Sequence, residues 1–263
     1  MLRARIIPCL LLQDGGLVKT QGFKDPKYVG DPINAVKIFN EKEADELTVL
    51  DIDATTKGSE PNFALIEKLA AECRMPLCYG GGITNAKQAE RIISMGVEKV
   101  AVSAAAIANP SLLTEMAAAI GRQSVVVVLD IKKKKGLFSK GYELCSHNAT
   151  RTYKEDPFEL AKKLQKYGAG EVVINFVDQD GLMQGYDLDT AEAFKKILTV
   201  PVTFLGGAGS LEHIKQLIQR LGVVGAAAGS LFVFKGKYRA VLINYPTPEQ
   251  KINLCHDAMA NRT

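Results

Sequence analysis

Three groups of residues in this chain have the types and spacing that chemistry needs. The first centres on Asp130. It ends a run, residues 124–130, that is otherwise almost pure valine. A carboxylate at the end of a buried strand is a natural general acid or base, though it can also cap the loop that follows. Asp51 and Asp180 close similar runs and read as auxiliary groups facing a substrate.

The second group is glycine. Gly80-Gly81-Gly82 and Gly206-Gly207-Ala208-Gly209 each follow an apolar run, and Gly229-Ser230 follows a third. Glycine lets backbone N–H groups approach a phosphate closely, and an adjacent helix N-terminus favours its charge. One cluster alone is as easily a tight turn. Two related clusters point to a ligand with two phosphates. The third group is Arg5, Glu46, Lys99 and Glu171, each at or near the first residue of an apolar run. Two bases and two acids so placed can close a ring of ion pairs, or can stand as four solvated strand ends.

The elements that would position these groups are strands alternating with helices. Strands are read at residues 5–12, 46–53, 76–79, 97–103, 124–130, 171–177, 201–205 and 223–228, with a local irregularity at Pro8. Helices are read between them, opened by Asp31-Pro32, Pro61, Thr84, Asn109-Pro110, Asp156-Pro157, Asp187 and Ser210. The Asp-Pro pairs join an N-cap acceptor to a residue suited to the first turn. Continuous apolar strands alternating with helices are the mark of a parallel sheet buried on both faces. Eight units predict one (β/α)₈ TIM barrel, with its active site at the C-terminal ends of the strands. The chain also repeats itself, Gly80–Gly82 against Gly206–Gly209 and Leu11 against Asp130. That implies half-barrels of about residues 1–121 and 122–263, the latter ending in an irregular tail from 235. In this tail residues 239–245 read as strand.

Residues 13–30 form a long polar connection bearing Lys19, and a loop of this length reads as a lid over the mouth. Residues 132–145 read as a hairpin or extended loop. Lys132–Lys135 within it read as a solvated basic run or as a contact for an anion. On the first strand, alternation puts Arg5, Ile7, Cys9 and Leu11 on one face.

Bulk properties narrow the class. A length of 263 residues with 47% hydrophobic content suits one barrel, and a net charge of +4 does not argue for nucleic acid. Five cysteines, an odd number in no metal-binding spacing, point to a reducing, cytoplasmic compartment with no metal. The apolar run 6–12 contains Pro8 and lacks a cleavage site, so it is not a signal peptide; no run has transmembrane length.

In order along the chain, Asp14-Gly15, Val18-Lys19, Gly30-Asp31-Pro32, Asp45-Glu46-Leu47, Leu50-Asp51-Ile52, Gly80–Ile83, Asn109–Leu112, Gly168–Glu171, Asp180-Gly181, Gly185–Asp187 and Gly206–Gly209 resemble the cyclase subunit of imidazole glycerol phosphate synthase. That resemblance spans Arg5 to about Phe234. It implies a duplicated half-barrel, no cofactor, a substrate with two phosphates, and a glutaminase partner on the barrel bottom that supplies ammonia through the interior. It implies an ammonia gate of Arg5, Glu46, Lys99 and Glu171, phosphate contacts at Gly82, Ser103, Gly181, Gly207, Gly229 and Ser230, and substrate contacts at Lys19, Asp51 and Asp180.

It also implies two catalytic aspartates. One falls on Asp130; the other falls on Leu11, which cannot transfer a proton. Ser103-Ala104, Leu182 and Leu205 depart from the family's phosphate-site pattern as well. This selective change resembles a paralogous branch linked to bacterial surface polysaccharides, which would pass ammonia to a third, amidating protein that makes an acetamidino sugar. The alternatives are a genuine cyclase of histidine biosynthesis, making imidazole glycerol phosphate and AICAR, and a sugar-phosphate isomerase. Partners on these readings are a glutaminase and a phosphorylated or anionic small molecule, without nucleic acid or membrane.

Overall fold

The computed structural model describes residues 3–134 and 141–260. Eight parallel strands close into a barrel: β1 (Arg5–Gln13), β2 (Leu47–Asp51), β3 (Leu77–Gly80), β4 (Lys99–Val102), β5 (Val125–Lys133), β6 (Glu171–Phe176), β7 (Val202–Leu205) and β8 (Gly225–Ala228). β8 pairs with β1, and β5 with both β4 and β6, so no edge is left in the ring of strands. Around it run α1 (Pro32–Glu41), α2 (Phe63–Glu72), α3 (Ala86–Ser94), α4 (Ser111–Ile120), α5 (Pro157–Tyr167), α6 (Leu188–Ile197), α7 (Leu211–Leu221) and α8 (Pro248–Ala260). The chain is thus a (β/α)₈ TIM barrel, with four barrel strands in each half of the sequence.

Helix starts follow their caps. Asp31 and Asp156 accept from backbone N–H groups one turn on, with proline in the first turn of each helix. Asn62 caps α2 and Asn85 caps α3, displacing Pro61 and Thr84 as the expected openings, because the Asn side chains accept from Leu65 and Gln88.

Pro8 causes no break. β1 pairs with β8 from Arg5 to Pro8 and with β2 from Cys9 to Leu12. The residue without an N–H therefore sits where the strand changes partner.

Three expectations are corrected. Residues 13–30 are not an irregular connection: strands Gly16–Gln21 and Lys24–Gly30 form an antiparallel hairpin that continues β1. The tail is not irregular throughout, since α8 fills the eighth helical position and packs on α7. Of residues 239–245 only Ala240–Val241 is strand, paired with Phe234–Lys235. The segment after β5 is a hairpin to Tyr142–Ser146, continued by Arg151–Tyr153. Lys132 pairs with Glu143 at 3.5 Å; Lys135 lies outside the described residues.

The tail closes a gap. The β1–β2 ladder starts only at Cys9–Thr48, so the first residues of these strands are joined by side chains. Ile6 N–H donates to Asp45 at 3.0 Å, Tyr245 hydroxyl donates to the Ile6 carbonyl at 2.7 Å, and Asp45 N–H donates to Tyr245 at 3.1 Å. Lys251 from α8 pairs with Asp45 at 2.9 Å. Tyr245→Phe leaves the Asp45 N–H and the Ile6 carbonyl without this partner, and is expected to cost about 1–3 kcal/mol in a urea titration. An unchanged midpoint would contradict this role for the tail.

Candidate functional site: a mouth and a charged ring

The C-terminal ends of the strands surround a cavity of about 500 Å³. Leu11, Lys19, Asp51, Gly82, Ser103, Asp130, Asp180, Gly181, Gly207, Gly229 and Ser230 all line it. The mouth residues singled out in the sequence are therefore brought together, from both halves of the chain.

Asp130 has a partner that the sequence reading missed. Asn175 lies opposite it on β6 and donates to its carboxylate at 2.8 Å. Strand alternation carries the signal, because Asn175 shares the face of Glu171 and Val173. Burial raises the Asp130 carboxyl to about 6; the Asn175 hydrogen bond opposes this, and Asp180 adds to it. The first half has no such pair. There Leu11 stands beside Leu50, so that wall is apolar.

The other two carboxylates also hold structure. Asp51 accepts from Asp53 and Ala54 N–H at 3.0 Å, starting a short helix at Ala54–Lys57. Asp180 accepts from the Thr20 hydroxyl at 2.6 Å and from Phe23 N–H at 3.2 Å, tying down the hairpin after β1. Burial raises both carboxyls. Lys19 lies on this hairpin and lines the cavity. It is 6% exposed, and its amine donates to the Cys9 carbonyl at 2.6 Å.

The glycine turns need their glycines. Gly81 (φ +124°) and Gly207 (φ +106°) hold the backbone in a region that disfavours a side chain. A Cβ would fall 2.4 Å from the Asp51 carbonyl oxygen and 2.0 Å from that of Gly185. Ser103 Oγ is buried on the wall with no hydrogen-bond partner among the described residues.

A second missed feature crosses the mouth. Ser146, His147 and Asn148 line the cavity, and Asn148 donates to the Ile52 carbonyl at 3.1 Å. The hairpin after β5 is thereby pinned to the loop after β2. His147, Asn148 and Ala149 have φ of +52°, +54° and +61° in succession. Three such residues in a row are hard to foresee from sequence.

At the opposite end the four charges form a closed ring. Arg5 pairs with Glu46, and with Glu171 at 2.7 Å; Lys99 pairs with both carboxylates at 2.9 Å. Thr203 on β7 adds a donor to Glu171 at 2.6 Å. Burial alone would raise the Glu171 carboxyl, but Arg5 and Lys99 outweigh it and hold it down at about 2. Arg5 itself is raised: burial lowers it, and Glu171 with Glu46 more than reverses that. Above the ring the inner wall is Ile7, Cys9, Leu205 and Ala227 on one side and Cys78, Ala101, Val126 and Val128 on the other.

A family described as histidine biosynthesis protein matches residues 5–239. A provisionally named imidazole glycerol phosphate synthase subunit hisF3 of Vibrio vulnificus is 58% identical over 251 residues, covering 95% of this chain and 96% of that one. A likewise provisional subunit hisF2 of Pseudomonas aeruginosa is 52% identical over 246 residues, with 94% and 97% covered. The imidazole glycerol phosphate synthase subunit HisF of Clostridium botulinum is 37% identical over 235 residues, with 89% and 92% covered. Fold and mouth set this chain among barrels that work at the C-terminal ends of their strands. Within that class it belongs to the HisF family, the cyclase subunits of imidazole glycerol phosphate synthase.

Two pH effects follow. Asp130 folds at a cost when ionised, because its carboxyl is raised from 3.8 to about 6. Asp130→Asn is expected to stabilise the protein by up to roughly 3 kcal/mol above pH 6, the gain fading as pH falls toward 4. Glu171 has the opposite sign. Its contribution is complete above the ordinary value of 4.5 and is lost as pH falls through about 2. Glu171→Gln should cost about 3–5 kcal/mol at pH 7, because two buried cations lose their partner. That penalty should shrink below pH 4.5. Denaturant midpoints across pH read both effects.

Proposed function

We propose that this chain is an ammonia-receiving synthase subunit without efficient cyclase chemistry of its own. A glutaminase on the N-terminal face of the barrel would release ammonia from glutamine. The ring of Arg5, Glu46, Lys99 and Glu171 would gate its entrance, and the small, largely apolar interior would carry it to the mouth. The acceptor on this reading is a surface-polysaccharide sugar, amidinated with a third protein. Lys19, Ser103, Gly229 and Ser230 would meet the anionic part of a ligand, with Gly82, Gly181 and Gly207 shaping the turns.

The observation that carries this reading is the contrast between the two ends. The ring is complete, with every charge paired to two of the opposite sign. The mouth keeps Asp130 with Asn175, while Leu11 and Leu50 occupy the corresponding place in the other half. Ring closure and lysis need a proton removed and a proton delivered, and a positioned group is worth about 10²–10⁴-fold for each. An ammonia conduit needs neither.

The cyclase reading keeps its own support in the Asp130–Asn175 pair. An assay with the phosphoribosyl substrate of histidine biosynthesis and ammonium salt separates the two. We expect turnover at least about 10²-fold below that of a HisF cyclase, partly restored by Leu11→Asp. Turnover equal to a HisF cyclase would overturn the proposal.

A further inference from the structure

Lys19 is buried, and no carboxylate among the described residues forms a salt bridge with it, although Asp180 acts on it through space. Lysine is rarely buried without a paired charge. Here the amine is 6% exposed, and among the described residues its one polar contact is the neutral Cys9 carbonyl. It is also the single amine among the described residues that line the cavity. The site is cut to receive it: a Cβ on Gly229 would lie 2.4 Å from its nitrogen. A carbonyl satisfies one N–H but does not neutralise a charge, so burial lowers the amine's proton affinity, with Asp180 acting in the opposite direction. An amine that gives up its proton more readily than an ordinary lysine is more often available as a nucleophile.

Three neighbours complete a chemistry. Asp130 supplies an exchangeable proton on the same cavity, its carboxyl raised to about 6 by burial. Leu11, Leu50 and Leu205 make part of the wall apolar, which disfavours hydrolysis of a bound imine. Cys9, whose carbonyl holds the amine, is on the inner face of β1 with Ile7, above Arg5.

We propose that Lys19 is a covalent nucleophile that forms an imine with the carbonyl carbon of a phosphorylated sugar. Its nitrogen attacks that carbon, and one of the amine's protons passes to the carbonyl oxygen, which becomes a hydroxyl. Asp130 gives a proton to the hydroxyl, which leaves as water; the iminium nitrogen then returns a proton to Asp130. Amine and carbonyl become imine and water, with no oxidant or reductant. The next step rests on the ammonia-conduit reading. Ammonia attacks the imine carbon, the Lys19 nitrogen leaves as the free amine, and the sugar carries the new C=N bond. Asp130, by returning its proton to the imine nitrogen, makes that carbon an iminium more electrophilic than the carbonyl, and this needs no second carboxylate at Leu11.

Reductive trapping tests the covalent step. The full chain is incubated at neutral pH with ribulose 5-phosphate, or with dihydroxyacetone phosphate, and cyanoborohydride, and the modified lysines are mapped by peptide mass spectrometry. We expect a reduced adduct on Lys19 formed on the order of tenfold faster than on any exposed lysine. Asp130→Asn should slow that adduct without changing the exposed lysines, and Lys19→Arg should abolish it while the circular dichroism spectrum stays native. Labelling of Lys19 no faster than of exposed lysines, with either sugar, would overturn the proposal. The test uses neither glutaminase nor ammonia, so its failure leaves the conduit reading standing, and loss of the conduit reading leaves the imine intact.

Discussion

Two carboxylates buried at one end of the barrel must each find enough positive charge, and that constraint organises the chain from its first strand onward. Glu46 and Glu171 are both 4% exposed, in surroundings where an unpaired charge costs several kcal/mol. Arg5 and Lys99 answer both at once, and because each ion pairs twice the ring tolerates no gap. The pairing fixes more than a local contact. With Arg5 pointing inward, strand alternation sends Ile7, Cys9 and Leu11 inward as well. The ring therefore sets which side chains line the interior and which one reaches the mouth on β1. The same strand is held from outside by Tyr245 and Asp45, where backbone pairing with β2 has not yet begun.

At the other end the two halves of the barrel have diverged. β5 and β6 present Asp130 and Asn175, a buried acid with one donor. β1 and β2 present Leu11 and Leu50. The result is a cavity with a polar wall facing an apolar one, Lys19 folded against the strand between the mouth and the ring, and the 146–149 turn pinned across the opening. Leucine at this position offers no proton to a ligand and keeps that wall of the mouth apolar.

Much of this was legible in the chain. Apolar runs with glycine turns gave the eight strands, and the charged first residues of four of them gave the ring, since inward-facing charges at one level of a barrel have only each other to pair with. What was missed has physical reasons. The hairpin after β1 includes Lys24–Gly30, mostly exposed and interrupted by Pro26, so no periodicity marks it as strand. The turn at His147–Ala149 depends on backbone angles that side chains there do not announce. α8 begins at Pro248, just after the break at Pro246, and its apolar residues form no strong stripe. Asn175 was readable by counting in twos from Glu171, because a polar residue on an inward face needs a reason to be there.

The central claim is that the ring admits ammonia from a partner. The most direct measurement mixes this chain with a glutaminase of the HisH type and follows both binding and glutamine hydrolysis. The account predicts a stable complex in which hydrolysis is faster than by the glutaminase alone. Absence of binding and of stimulation, with the barrel folded, would contradict it.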